Sequence, residues 1–337
     1  MSHIRHSITR RLDHFLFESA SPHTCVVLRI AFATLLLVYL GVWSADAAYW
    51  FSDEGVLTTA TAGQLVPAPL WSLFNWVPAT PAVVTIALAI LILQSVCLLA
   101  GLASRFQAAC LFVGLVSFQN RNPVIGDAED TMLRIAIFCL IFMPLDYRWS
   151  LGRWMAGRPA YDASLARSRA WGLRLLQFHL SLLYLSAAAC KWFGSTWRDG
   201  SALYYVYQME DLFGRGPLPM WLMQEELAIR LSTWAVLAVE SLLPVALWFR
   251  PTRTLAVAAG IALHLSLEYA MHLHLFQWIM MASLLAFLPS GIGFQPVKKT
   301  TSTHNLHQGF RNRHTALDPE LLSQTRRRPA VLVHVLD

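Results

Sequence analysis

The sequence predicts an all-α fold: a polytopic membrane bundle of about eight transmembrane helices with both ends on the inner side. Three observations carry that class. Of 337 residues, 56% are hydrophobic and only 14% are charged, where soluble domains run near 25% charged. Mean hydropathy is +0.46. The apolar residues gather in eight windows, some only loosely long enough for the ~20 residues that a ~30 Å bilayer core requires. These are 25–45, 81–101, 105–119, 131–149, 171–193, 231–249, 252–273 and 275–293.

The elements follow in order. Residues 1–24 are polar, with no short apolar core before a small-residue cleavage site, so the first window is expected to be a retained helix after a cytoplasmic N-terminal segment. The third window is short and ends in the polar run Ser117–Pro123. No Lys or Arg follows Arg253 before Gly293. One helix of that length would be about twice the bilayer thickness, so a turn is predicted near His272–Phe276. Residues 25–294 are expected to form the transmembrane domain, and 295–337 a basic, disordered cytoplasmic tail. With the N-terminal segment inside, 18 of the 26 Lys and Arg fall inside and six outside. Arg29 and Arg174 lie within spans near their inner ends. This bias gives the N-in, C-in orientation. The long outside segments 46–80 and 194–230 carry Trp, Tyr and Pro, as interfacial caps do.

The net charge of +6 sits between apolar runs and reads as topology, not as a nucleic-acid surface. Cys25, Cys97, Cys110, Cys139 and Cys190 form no CxxC pair and read as small buried hydrophobes. Neither GxGxxG nor GxxxxGK[ST] occurs, so nucleotide chemistry has no support.

An ionisable side chain at membrane depth is costly unless paired or hydrated, so these groups are where function shows. His264, Glu268 and His272 are spaced to line one helix face. They can glue helices, hold a proton or ligand, or join ligands from another helix on a metal; no metal site is assigned. Glu240 lies mid-window, with Pro244 freeing its backbone carbonyl. It is expected to be protonated by burial or paired with a cation. Asp127, Glu129, Asp130, Arg121 and Arg134 crowd one helix entry, as a cap and salt-bridge cluster or as the wall of an outward-opening cavity. Lys191, near the end of its window, either snorkels or serves as a desolvated base or nucleophile. His179 and Arg174 lie earlier in the same window.

The order Arg121-Asn122-Pro123, Trp149-Ser150-Leu151, a window ending in Lys191, the run from Trp197 to Tyr205 (WRDGSALYY), Glu240 and Leu263-His264 resembles the horizontally transferred transmembrane (HTTM) domain. That is the membrane part shared with vitamin K-dependent γ-carboxylases, and the resemblance covers roughly 25–294. It implies proton abstraction from glutamate with a reduced quinone-type cofactor in the membrane. In that family the base is the second of two consecutive lysines. Matched on Trp197, the first falls on Lys191 and the second on Trp192. Matched on Trp149-Ser150, the family's histidine falls on Glu129, while the later histidine is retained as His264. The carboxylase carries a large lumenal domain after its membrane part, where this sequence reads as a short basic tail.

Two functions are therefore carried forward. One is a membrane enzyme with carboxylase-like, proton-abstracting or quinone-linked chemistry on a peptide or lipid, using Lys191, His264, Glu268, Glu240 and Glu129, with a quinone-like lipid as cofactor. The other is a non-catalytic maturation or export partner of a secreted peptide or protein. A solute carrier would show an inverted repeat, and none is visible. Membrane lipids are expected partners, and the bacterial inner membrane is the expected location. Convergence of His264, Glu240 and Lys191 on one closed pocket would favour the enzyme. Separate, fully paired helix seams would favour the partner.

Overall fold

The computed structural model describes residues 22–65, 70–159, 171–209 and 214–288. The chain divides into a unit Met1–Ile292 and a unit Gly293–Asp337. The predicted tail 295–337 and most of the predicted segment 1–24 lie outside the described residues. Among those described there is no strand, only one isolated bridge between Gly214 and Met271.

Each predicted window holds one helix. These are α1 (Pro22–Ala45), α4 (Pro81–Ala100), α5 (Ser104–Arg121), α6 (Ala128–Leu140), α8 (Trp171–Phe193), α12 (Glu226–Ala246), α13 (Arg250–Ala270) and α14 (Phe276–Leu284). Short helices fill the connections: α2 (Ala47–Phe51), α3 (Thr59–Leu65), α7 (Leu151–Met155), α9 (Ser195–Asp199), α10 (Ala202–Tyr207) and α11 (Met220–Gln224). By length and composition, α1, α4, α8 and α12 are long and apolar enough to cross a membrane. Ile86, Leu93, Leu182 and Leu242 stand exposed on these helices. So broad an apolar exterior suits lipid, not water.

Local chemistry sets the ends. The Thr80 hydroxyl accepts from Val83 N at 3.3 Å and Pro81 opens α4, as a cap and first-turn proline should. Gly101 closes it at φ 75. A Cβ there would press on the Arg29 guanidinium and the Ser150 backbone, so this left-handed stop needs glycine. Asp127 and Asp130 form a capping box at the start of α6.

Two windows are corrected. The fourth, predicted to run to 149, is helical only to Leu140. Pro144 follows, and the chain leaves the helix through tight turns from Phe138 to Met143, because the residue before proline is pushed out of the helical region. The eighth is a short helix that continues as a 3-10 turn, Leu285–Phe287. Its length is roughly 20 Å, well below a ~30 Å hydrocarbon core. The predicted turn at His272–Phe276 does separate α13 from α14.

The packing forms two groups. α1 packs on α4 and α6, with α5 between α4 and α6. α8 packs on α12, and α13 lies between α12 and α14. The short α14 touches α1, α6, α8 and α13 and joins the groups. It buries Ile279, Met280 and Leu284, and also Gln277 and Ser283.

Candidate functional site

The site residues lie on the helices of the second group. Near the end of α8, Lys191 Nζ meets Glu240 Oε2 of α12 at 2.5 Å. The ammonium also lies over the Trp197 ring, 5.1 Å from its centroid. Two places that the sequence kept apart are thus one ion pair. Trp192, one residue on, is rotated ~100° away. It is 54% exposed and donates its indole N–H to Ser241 Oγ at 3.0 Å.

Two turns earlier on α8, Tyr184 Oη lies 2.6 Å from His264 Nε2, and His264 Nδ1 lies 2.5 Å from Gln277 Oε1. All three are buried. A carbonyl oxygen only accepts, so Nδ1 carries the proton and Nε2 accepts from tyrosine. Three helices, α8, α13 and α14, are thereby tied through one imidazole. Gln277 Nε2 is buried without a hydrogen-bond partner.

One turn further along α13, Glu268 Oε1 accepts from Arg215 and, at 2.9 Å, from Trp278 Nε1. Its other oxygen is buried and unpartnered. The predicted stripe stops there. α13 ends at Ala270, where Met271 turns extended and bridges to Gly214, so His272 is exposed and off the helix face. It makes an edge contact with His274 instead.

Glu129 stands apart from these groups. Its Oε2 accepts from Leu275 N at 2.8 Å, so a residue in the first turn of α6 caps the start of α14. Asp130 accepts from Tyr39 Oη, and Gln119 reaches both Tyr39 and the Asp130 carbonyl. Of the two earlier α8 residues, Arg174 meets Gln177, which continues to the Ala286 carbonyl at 2.7 Å.

An apolar cleft of about 560 Å³ opens between α12 and α13 under Leu203, Tyr207 and Leu222. Val239, Leu263 and Leu267 line it. Each is the chain neighbour of Glu240, His264 or Glu268, and those polar groups do not line it. A second apolar cleft, about 500 Å³ between α4 and α5, also holds none of the five predicted residues. Among the described residues no three His, Cys, Asp or Glu stand close enough to hold a metal ion.

The sequence reading missed Tyr184, Gln277, Arg215 and Trp278. Tyr184 carried a signal: it precedes Lys191 by seven residues and shares its helix face. Gln277 is a lone amide in an apolar run.

The HTTM domain family model matches residues 17–291, most of the chain. No curated protein and no solved structure matched in the corresponding comparisons. An all-helical bundle with four helices fit to cross a membrane, under a family match over most of its length, makes this chain a membrane protein belonging to the HTTM domain family.

Proposed function

We propose that the chain is a multi-pass protein of the bacterial inner membrane that acts as a non-catalytic maturation or export partner of a secreted peptide or protein. One observation carries this reading: each of the five predicted catalytic residues is held by a partner on another element. Such pairing suits helix–helix glue. The segments 46–80 and 194–230 are the docking surface in this reading.

The quinone-type cofactor implied by the resemblance does not fit these side chains. The family's base position is Trp192, which turns outward, and Lys191 is neutralised by Glu240. No reaction step is assigned through that group. An enzyme reading keeps one specific support. Lys191 remains 22% exposed, so a substrate carboxylate could displace Glu240 from it.

For topology we take about eight membrane-embedded helices, N-in and C-in; the short α14 is covered by α1, α6, α8 and α13 and so is not bound to the length that a lipid-facing span needs. Two contacts agree with alternation. Arg29, near the start of α1, reaches the carbonyls of Leu145 and Trp149 after α6. Arg121, at the end of α5, reaches those of Ser52 and Leu57 after α2.

Native purification followed by mass spectrometry tests the function. A stoichiometric co-purifying peptide or protein is expected. A bound hydroquinone or isoprenoid without a peptide would overturn the partner reading.

A further inference from the structure

The two ends of the bundle differ in charge. At the end where α1 begins, α4 stops and α8 begins, the described cations include Arg105, Arg148, Arg158, Arg250 and Arg253. The one described acid there is Asp146, which Arg29 and Ser104 already engage, at 3.7 and 2.5 Å. Asp46, Asp53, Glu54, Asp127, Glu129, Glu225 and Glu226 lie toward the opposite end.

The loop after α6 sharpens this contrast. Trp149 has φ 51, a left-handed conformation that a bulky residue rarely adopts. The fully buried Arg29 donates Nη2 to the Trp149 carbonyl at 2.6 Å and so holds the backbone there. The indole is left exposed, with the Arg148 guanidinium 5.5 Å from its centroid. Immediately after it, α7 exposes Leu151, Trp154 and Met155; Trp154 is 76% exposed. Arg153 instead folds inward onto the Pro159 carbonyl. The result is a run of large exposed apolar side chains flanked along the chain by Arg148 and the exposed Arg158.

We propose that residues 148–158 form an interfacial anchor that binds an anionic phospholipid. Trp149, Leu151, Trp154 and Met155 enter the boundary between headgroups and acyl chains, where tryptophan is favoured. Arg148 and Arg158 meet the lipid phosphates. Each arginine near an anionic surface contributes roughly fivefold in affinity. A zwitterionic lipid gains only the apolar share. This assignment does not depend on whether the protein is catalytic.

The test uses the full-length protein in detergent with dioctanoyl phosphatidylglycerol, dioctanoyl phosphatidylcholine or inorganic phosphate, read by native mass spectrometry and by thermal shift. Phosphatidylglycerol is expected to bind more tightly than phosphatidylcholine and to raise the melting temperature more. Arg148→Gln with Arg158→Gln should weaken phosphatidylglycerol roughly 25-fold and leave phosphatidylcholine unchanged. Trp154→Ala with Met155→Ala should weaken both lipids, and Arg230→Gln at the opposite end neither. Equal binding of the two lipids by the native protein would overturn the proposal. So would full competition by inorganic phosphate alone, or unchanged phosphatidylglycerol binding in an arginine variant that melts like the native protein.

Discussion

The two helix groups solve the same problem in different ways. In the first group, α1 with α4–α6, the buried cations Arg29 and Arg121 donate to main-chain carbonyls: Leu145 and Trp149 for one, Ser52 and Leu57 for the other. Their acid partners, Asp146 and Asp53, are partly exposed. In the second group, α8 with α12–α14, the buried Glu240, His264 and Glu268 pair side chain to side chain. Lys191 meets Glu240, Tyr184 meets His264, and Arg215 meets Glu268. A carbonyl acceptor is supplied by any residue type and does not titrate. The first arrangement therefore fixes loops to helices whatever the neighbouring sequence. The second needs both partners, and loss of one strands the other in a low-dielectric interior. The first group anchors its two buried arginines on backbone, while the second holds Lys191, Glu240, His264 and Glu268 through partner side chains.

The largest expected effect tests that backbone anchoring. Arg29→Met removes a fully buried donor and leaves the Leu145 and Trp149 carbonyls without it, at a cost of about 2–6 kcal/mol. Thermal unfolding of the purified protein should show a large drop in Tm. A native-like Tm would mean that the clamp contributes little.

The ion pair of the second group gives the next contrast. Lys191→Met or Glu240→Gln alone should each cost about 2–3 kcal/mol. The double variant should cost no more than either single change, because no charge is left stranded. Additive losses in the unfolding midpoints would show that the two residues act separately.

His264 joins three helices, so its partners should matter less than the imidazole itself. Tyr184→Phe is expected to cost about 1–2 kcal/mol by leaving Nε2 buried and unpaired. His264→Phe, which loses both bonds and strands Gln277, should cost more. The reverse order of the two melting temperatures would contradict the shared-imidazole arrangement.

The smallest effects come at the ends of the first group. Trp149→Gly relieves a left-handed backbone that costs a non-glycine residue about 1 kcal/mol or more, and should hold or raise Tm. For Asp53, burial pulls the carboxyl up. Hydrogen bonds from Thr59 and the charge of Arg121 outweigh that and hold it below its ordinary value. A carboxyl depressed in the folded state contributes stability that is present above its unfolded pKa and lost as pH falls through the folded one. Asp53→Asn should therefore flatten a small part of the acid-side stability profile, seen as a shallower Tm decline below about pH 4.

Parts of the site were legible early. Glu240, His264 and Glu268 are buried, and each of them and the partly exposed Lys191 finds a partner, as the cost of a lone charge in lipid requires. That Lys191 and Glu240 are one pair was not legible, because they are 49 residues apart and no local rule joins positions on different helices. That Glu129 reaches the backbone N–H of Leu275, 146 residues further along, was not legible either, for the same reason. His272 was misjudged because the periodicity of 3.6 says nothing about where a helix ends.

The amino-acid sequence by itself determined the solvent, the number of apolar windows, and the caps at Thr80 and Asp127. These follow from composition and from interactions within a few residues. Tertiary structure alone decided which buried groups meet, that the short α14 contacts both groups, and that an arginine on another helix holds the Trp149 carbonyl. Those outcomes rest on contacts between segments distant along the chain, where geometry and not periodicity selects the partner.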